Sequence, residues 1–204
     1  QIKLMPAYEF TEMESVKTHA RYRKEEELPK RLNYWGYTKA FHFAPKRAYA
    51  ATKDPVREFK DMVKTMHRLG IEVLMEFYFP EGCSPRYITE CLQYWVQEYH
   101  VDGFHVRGVQ GICNLLATDP LLADTKLLNI YFPVEEIYGK KNLPKKRMVA
   151  ECNDGFMIDV RRFLKGDEES LKAFAERMRR NPKGSGLINY IASHDGFTLC
   201  DLVS

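Results

Sequence analysis

Between Asp54 and Val106 the chain alternates two hydrophobic periods with few residues between them, and this restricts its fold more than any other feature. Asp54 and Pro55 read as the cap and first turn of a helix. Val56, Phe59, Met62, Val63, Met66 and Leu69 recur at helical spacing, and Gly70 stops the run. The stretch "IEVLMEFYF", residues 71–79, is then rich in β-branched and aromatic residues, as a buried strand is. Ser84 and Pro85 open a second helix, with Ile88, Leu92, Trp95, Val96 and Tyr99 as its stripe. Residues 100–106 follow as a second strand, with Gly103 inside it and Arg107 at its end. Strands joined by helices cannot pair as hairpins. The order therefore predicts parallel strands with crossover helices.

The flanks extend the pattern. Ile2 to Met5 form a short strand closed by Pro6, a polar segment covers residues 11–32, and "LNYWGYTKAFHFAP" reads as an aromatic loop. A weaker helical stretch at residues 109–117 leads into an irregular region. "KRMVAECND", residues 146–154, contains another short strand, and Asp167 is placed to cap a helix over "EESLKAFAERMRR". "GLINYIASHDG", residues 186–196, is a last strand. These strands end in Glu76, Arg107, Glu151, and His194 with Asp195. Catalytic and ligand groups collect at the carboxyl ends of parallel strands. An open doubly wound sheet would carry a Gly-rich phosphate loop after an early strand. The sequence has none, so an α/β barrel is the preferred architecture, with residues 1–204 as one domain.

Composition narrows the function. A chain of 204 residues that is 45% apolar suits a soluble domain with a core of its own. The net charge of +3 is small and the cations are interleaved with acids, so neither a nucleic-acid partner nor a membrane is expected. The five cysteines are an odd number without metal-type spacing and read as reduced thiols, which predicts a cytoplasmic protein. Both ends read as cut, so a fragment of a longer protein is expected.

Several longer strings resemble the α-amylase superfamily of glycoside hydrolases, and most closely its debranching branch of isoamylase, pullulanase and bacterial glycogen debranching enzyme. "LMPAYEFTEM" is similar to the second barrel strand and its loop, and "LNYWGYTKAFHFAPKRAYA" to the "NYWGY" loop. "FKDMVKTMHRLGIEVLMEFYF" resembles the third strand with its helix, "YWVQEYHVDGFHV" the fourth and "VAECND" the fifth. "GFMIDVRRFLKGD" resembles the segment around the sixth, and "INYIASHDGFTLCDLVS" the seventh. The resemblance implies a partial (β/α)8 TIM-type barrel covering about strands 2 to 7. The family's long loop after strand 3 is largely missing.

Retaining hydrolysis needs a nucleophilic carboxylate and a carboxylic acid about 5–5.5 Å apart. The resemblance implies Glu151 as the acid/base position and Asp195 as the transition-state stabiliser. It implies His194 as a partner of sugar hydroxyls and Tyr37 as a platform beneath the sugar; by its own chemistry Tyr37 is equally a core lid. The nucleophile departs from the pattern. Where the family reads approximately "VDGFRFDLA", this chain reads "VDGFHVRGV", with His105 in the arginine's place and Arg107 in the nucleophile's. A guanidinium has no free lone pair with which to attack. The third-strand motif, usually like "DVVYNH", reads "EFYFPEG", with Glu76, Pro80 and Glu81 replacing its aspartate, asparagine and histidine. Arg107 is expected to pair with Glu151, Asp195 or Glu76, because clustered acids without a cation repel.

Three functions stand open at this point. The first is a hydrolytically inactive relative that still binds α-glucan. The second is an active glycoside hydrolase using another carboxylate, such as Glu76 or Glu81. The third is a structural or regulatory subunit of an active homologue, which would supply what this chain lacks. No cofactor and no metal are expected.

Overall fold

The computed structural model describes residues 1–15, 30–109 and 111–194. The chain divides into two compact units, Gln1–Leu127 and Leu128–Ser204.

In the first unit, β1 (Ile2–Leu4) begins the chain. Two small antiparallel pairs follow: β2 (Tyr8–Phe10) with β5 (Ala40–Pro45), and β3 (Met13–Ser15) with β4 (Lys30–Leu32). Strand β5 lies inside the segment expected to be an aromatic loop. His42 is almost wholly inside and Phe41 beside it is exposed. Helix α1 (Pro55–Arg68) starts where Asp54 Oδ1 accepts the backbone N–H of Arg57 at 3.0 Å. Of its expected stripe only Val63 is fully buried; Val56 and Leu69 at the two ends remain exposed.

Strand β6 (Val73–Tyr78) pairs in parallel with β1 on one side and β7 (Gly103–Arg107) on the other. Between them runs α2 (Pro85–Tyr99), capped by Ser84 Oγ, which accepts the N–H of Tyr87 at 3.2 Å. Because strand side chains alternate, Val73, Met75 and Phe77 share one face with Phe104. There Phe77 meets Trp95 of α2 edge-on at 5.7 Å, and Trp95 stacks on Tyr99 at 4.4 Å. The opposite face carries Lys3, Glu76, His105 and Arg107, since Lys3 pairs with Leu74, Glu76 with His105 and Tyr78 with Arg107. One face of this sheet is an aromatic core, and the other carries the ionisable groups beside Leu74 and Tyr78.

A short helix α3 (Cys113–Ala117) follows β7, and then β8 (Lys126–Asn129), a strand within the region expected to be irregular. It lies next to β7, where the N–H of Lys126 donates to the carbonyl of Asp102 at 2.9 Å. Gly103 permits this approach, because a Cβ there would fall 2.6 Å from the Lys126 carbonyl oxygen.

The second unit contains α4 (Val134–Tyr138), β9 (Val149–Asn153), α5 (Asp154–Lys165), α6 (Ser170–Arg179) and β10 (Gly186–Asn189). Strands β9 and β10 are parallel, with Glu151 opposite Leu187. Helix α5 occupies the string that resembled the region of a sixth strand. Asn153 caps it, and Phe163 stacks on Phe174 of α6 at 4.4 Å. Asp167 does not cap α6. That helix starts three residues later, after Glu169 in a left-handed conformation, and Asp167 instead takes Arg162 and Lys165 as ion partners. No helix among the described residues is long and apolar enough to cross a membrane.

Candidate active site

Arg107 ends β7. Its Nη1 lies 3.5 Å from Glu76 Oε1, so of the three expected partners the structure shows Glu76. Glu76 comes from the middle of β6, is fully buried, and forms the centre of the first unit's site. Oε1 also accepts the Tyr37 hydroxyl. Oε2 lies 3.0 Å from Lys3 Nζ and 3.1 Å from His105 Nδ1, and those two nitrogens are 3.1 Å apart. Burial opposes the negative charge of Glu76. The hydrogen bonds from His105 and Tyr37, with the charges of His105 and Lys3, outweigh it and hold the carboxyl well below the usual range. Both oxygens are engaged, which leaves this carboxylate poorly suited to attack a sugar carbon.

Tyr37 reaches the site from the loop before β5. Asn33 Oδ1 shapes that loop by accepting the N–H groups of Trp35 at 3.2 Å and Gly36 at 3.0 Å. Tyr8 ties the loop to the sheet: its buried hydroxyl donates to the Gly36 carbonyl at 3.2 Å and accepts the N–H of Tyr78 at 3.1 Å. The Arg107 guanidinium then lies over the Tyr37 ring, 5.3 Å from its centroid. Just past Arg107, Gly108 has φ +87°, and a Cβ there would come within 2.2 Å of the Phe79 carbonyl oxygen. The loops leaving β6 and β7 are thereby packed backbone to backbone. Glu81, the other candidate substitute nucleophile, is exposed in the turn after β6.

In the second unit Glu151 is 3% exposed on β9 and is engaged by the Arg180 guanidinium. Along the chain β8 follows β7, so β9 is the second strand after Arg107 rather than the first. The residues that close the first are Asn129 and Ile130. His194 is exposed in a turn after β10. Asp195 lies outside the described residues, as does Cys200. Among the described residues no group of three His, Cys, Asp or Glu side chains is arranged to hold a metal ion.

Sequence reading singled out Tyr37, His105, Arg107 and Glu76, and the structure brings them together. It missed Lys3. The signal was a lysine between two apolar strand residues, "IKL", which puts it on the face opposite its neighbours.

No family model matches the chain. Rice (Oryza sativa subsp. japonica) isoamylase 1, chloroplastic, is 26% identical over 294 aligned positions that take in 100% of this chain and 35% of the rice protein. Isoamylase 1 of Arabidopsis thaliana is 28% identical over 100% of the chain and 37% of its own length. The glycogen operon protein GlgX homolog of Haemophilus influenzae is 29% identical over 84% of the chain. The homologues of this chain are debranching enzymes. An alignment of 294 positions against 204 residues means that the rice relative carries insertions this chain lacks. The chain spans about a third of the length of these debranching relatives. Among solved structures, the pullulanase of Bacillus acidopullulyticus superposes with a TM-score of 0.63 over 98% of the chain and 32% of the pullulanase, at 18% identity. The Paenibacillus barengoltzii pullulanase, in complex with maltohexaose and alpha-cyclodextrin, gives 0.63 over 98% of the chain and 42% of its own, at 19% identity. The fold of this chain is that of the pullulanase barrel, in part.

Proposed function

We propose that this chain serves α-glucan metabolism as a debranching-enzyme-like protein that does not hydrolyse its glucan. One observation carries the reading: Arg107, which by the resemblance stands in the nucleophile's place, pairs with buried Glu76. A cation there also opposes the positive charge that develops on the sugar during hydrolysis. The strand order adds a second argument. If β8 is the fifth strand of the barrel, the acid's place falls near Asn129 and Ile130, neither of which can protonate a leaving oxygen. Glu151, expected as the acid/base, is then a structural partner of Arg180. Tyr37, His105, His194 and Asp195 remain the proposed saccharide contacts. We take residues 1–204 as one barrel domain, covering about strands 2 to 7, of a cytoplasmic protein. Flanking chain or a homologous subunit would complete it.

The test is to incubate the full-length protein with glycogen and pullulan and to assay reducing ends, beside a Glu151→Gln variant. The expected result is no turnover from either protein, with both shown to be folded. Turnover by the parent that Glu151→Gln abolishes would overturn the reading. Co-elution with an active homologue, without saccharide affinity, would favour the subunit function instead.

A further inference from the structure

The Glu76 cluster presents its charges unevenly. The carboxylate is fully buried, while the side chains of Lys3 and Arg107 are 38% and 31% exposed. A molecule approaching this face meets the two cations, and the anion lies beneath them. Lys3 Nζ and Arg107 Nη1 bracket opposite oxygens of one carboxylate, at 3.0 and 3.5 Å, so both are held in place before any ligand arrives. The Arg107 guanidinium also covers part of the Tyr37 ring, 5.3 Å from its centroid. A neutral sugar seeking that ring must displace a planar cation and gains no charge contact in return. A sugar that carries an oxyanion pairs with the same cation, because a guanidinium presents parallel donors matched to phosphate or carboxylate.

The geometry points to an anionic saccharide as the ligand of this site: a sugar phosphate whose phosphate is received by Arg107 and Lys3 while its ring lies at Tyr37. The saccharide half of this inference rests on the proposed function, and the oxyanion half rests on the cluster alone. Glu76 acts here as a positioning residue that fixes the direction of both cations. Attraction between partly exposed charges weakens with salt, so affinity falls as ionic strength rises.

Calorimetric titration of the full-length protein with glucose 1-phosphate, glucose 6-phosphate, maltotriose and inorganic phosphate tests this. At least one hexose phosphate is expected to bind tenfold or more tightly than maltotriose or inorganic phosphate, and less tightly at high salt. Arg107→Gln and Lys3→Gln are each expected to lower that affinity about tenfold, from the usual strength of a charged hydrogen bond. Arg107→Lys should recover part of it, and thermal melts should show all three variants folded. Maltotriose binding that matches or exceeds hexose phosphate binding, unmoved by Lys3→Gln, overturns the inference and leaves the glucan reading standing. Inorganic phosphate binding as tightly as hexose phosphate overturns the saccharide half of the inference. If no sugar or phosphate binds, both fall.

Discussion

Glu76 is the residue on which most of the site depends. Replacing it with Gln leaves Lys3 and Arg107 beside a neutral amide in a place built for a charge. The expected cost is about 1–3 kcal/mol, below that of a wholly buried pair because both cations reach solvent; urea unfolding of Glu76→Gln measures it. The pH dependence has a definite sign. The folded pKa of Glu76 is depressed, so its contribution is complete above the unfolded value of about 4.3 and is lost as pH falls toward the folded value. Unfolding curves below pH 4 should therefore show stability dropping less steeply in Glu76→Gln than in the parent. His42 acts over a higher range. Its Nδ1 lies 3.0 Å from the Tyr87 hydroxyl and its Nε2 lies 2.9 Å from the Tyr78 carbonyl, and burial lowers its pKa. Neutral His42 thus stabilises the fold above about pH 6.5, and that contribution is lost on acidification through its lowered folded pKa.

Among the elements, α1, β6, α2 and β7 were legible because each has a clean period and a chemical start signal. Asp54–Pro55 and Ser84–Pro85 cap both helices as their sequences imply. Strand β8 was not legible. "KLLN" is four residues long, too short for a period, and it is held by the close approach at Gly103 rather than by its own propensity. Without it, "VAECND" reads as the next strand after β7, the place at which the resemblance put Glu151. Helix α5 was hidden in the same way, since "GFMIDVRRFLKGD" was read by likeness and not by its amphipathic spacing. Gly108 allows a sharp test of how the elements meet. Gly108→Ala faces a positive φ and the Phe79 carbonyl at once, so a loss of roughly 2 kcal/mol or more is expected, read as a lower urea midpoint. A neutral outcome would mean that the two loops are not packed as described. In α2, Trp95→Ala removes the ring shared by Phe59, Phe77 and Tyr99 and should cost about 3–5 kcal/mol in the same measurement.

For the whole molecule, the parallel α/β class was readable from element order, whereas the reach of the barrel was not. Pairing between strands distant in sequence leaves no local signal. The packing can be checked through the thiols. The described cysteines are all free, and Cys91, Cys113 and Cys152 are buried, while Cys83 is partly accessible. Burial pushes the Cys113 thiol up to about 11 and raises Cys91 further. A thiol reagent at neutral pH should therefore label Cys83 ahead of these three, which react only in denaturant; early labelling of Cys91 would argue against this core. The Tyr8 hydroxyl has a practical consequence as well. Because one phenol joins the turn at Gly36 to the end of β6, the aromatic loop is not an independent part. Transplanting a loop from an active relative requires exchanging residues 8–10 and 33–46 as one cassette; moved alone, the loop would arrive without its anchor.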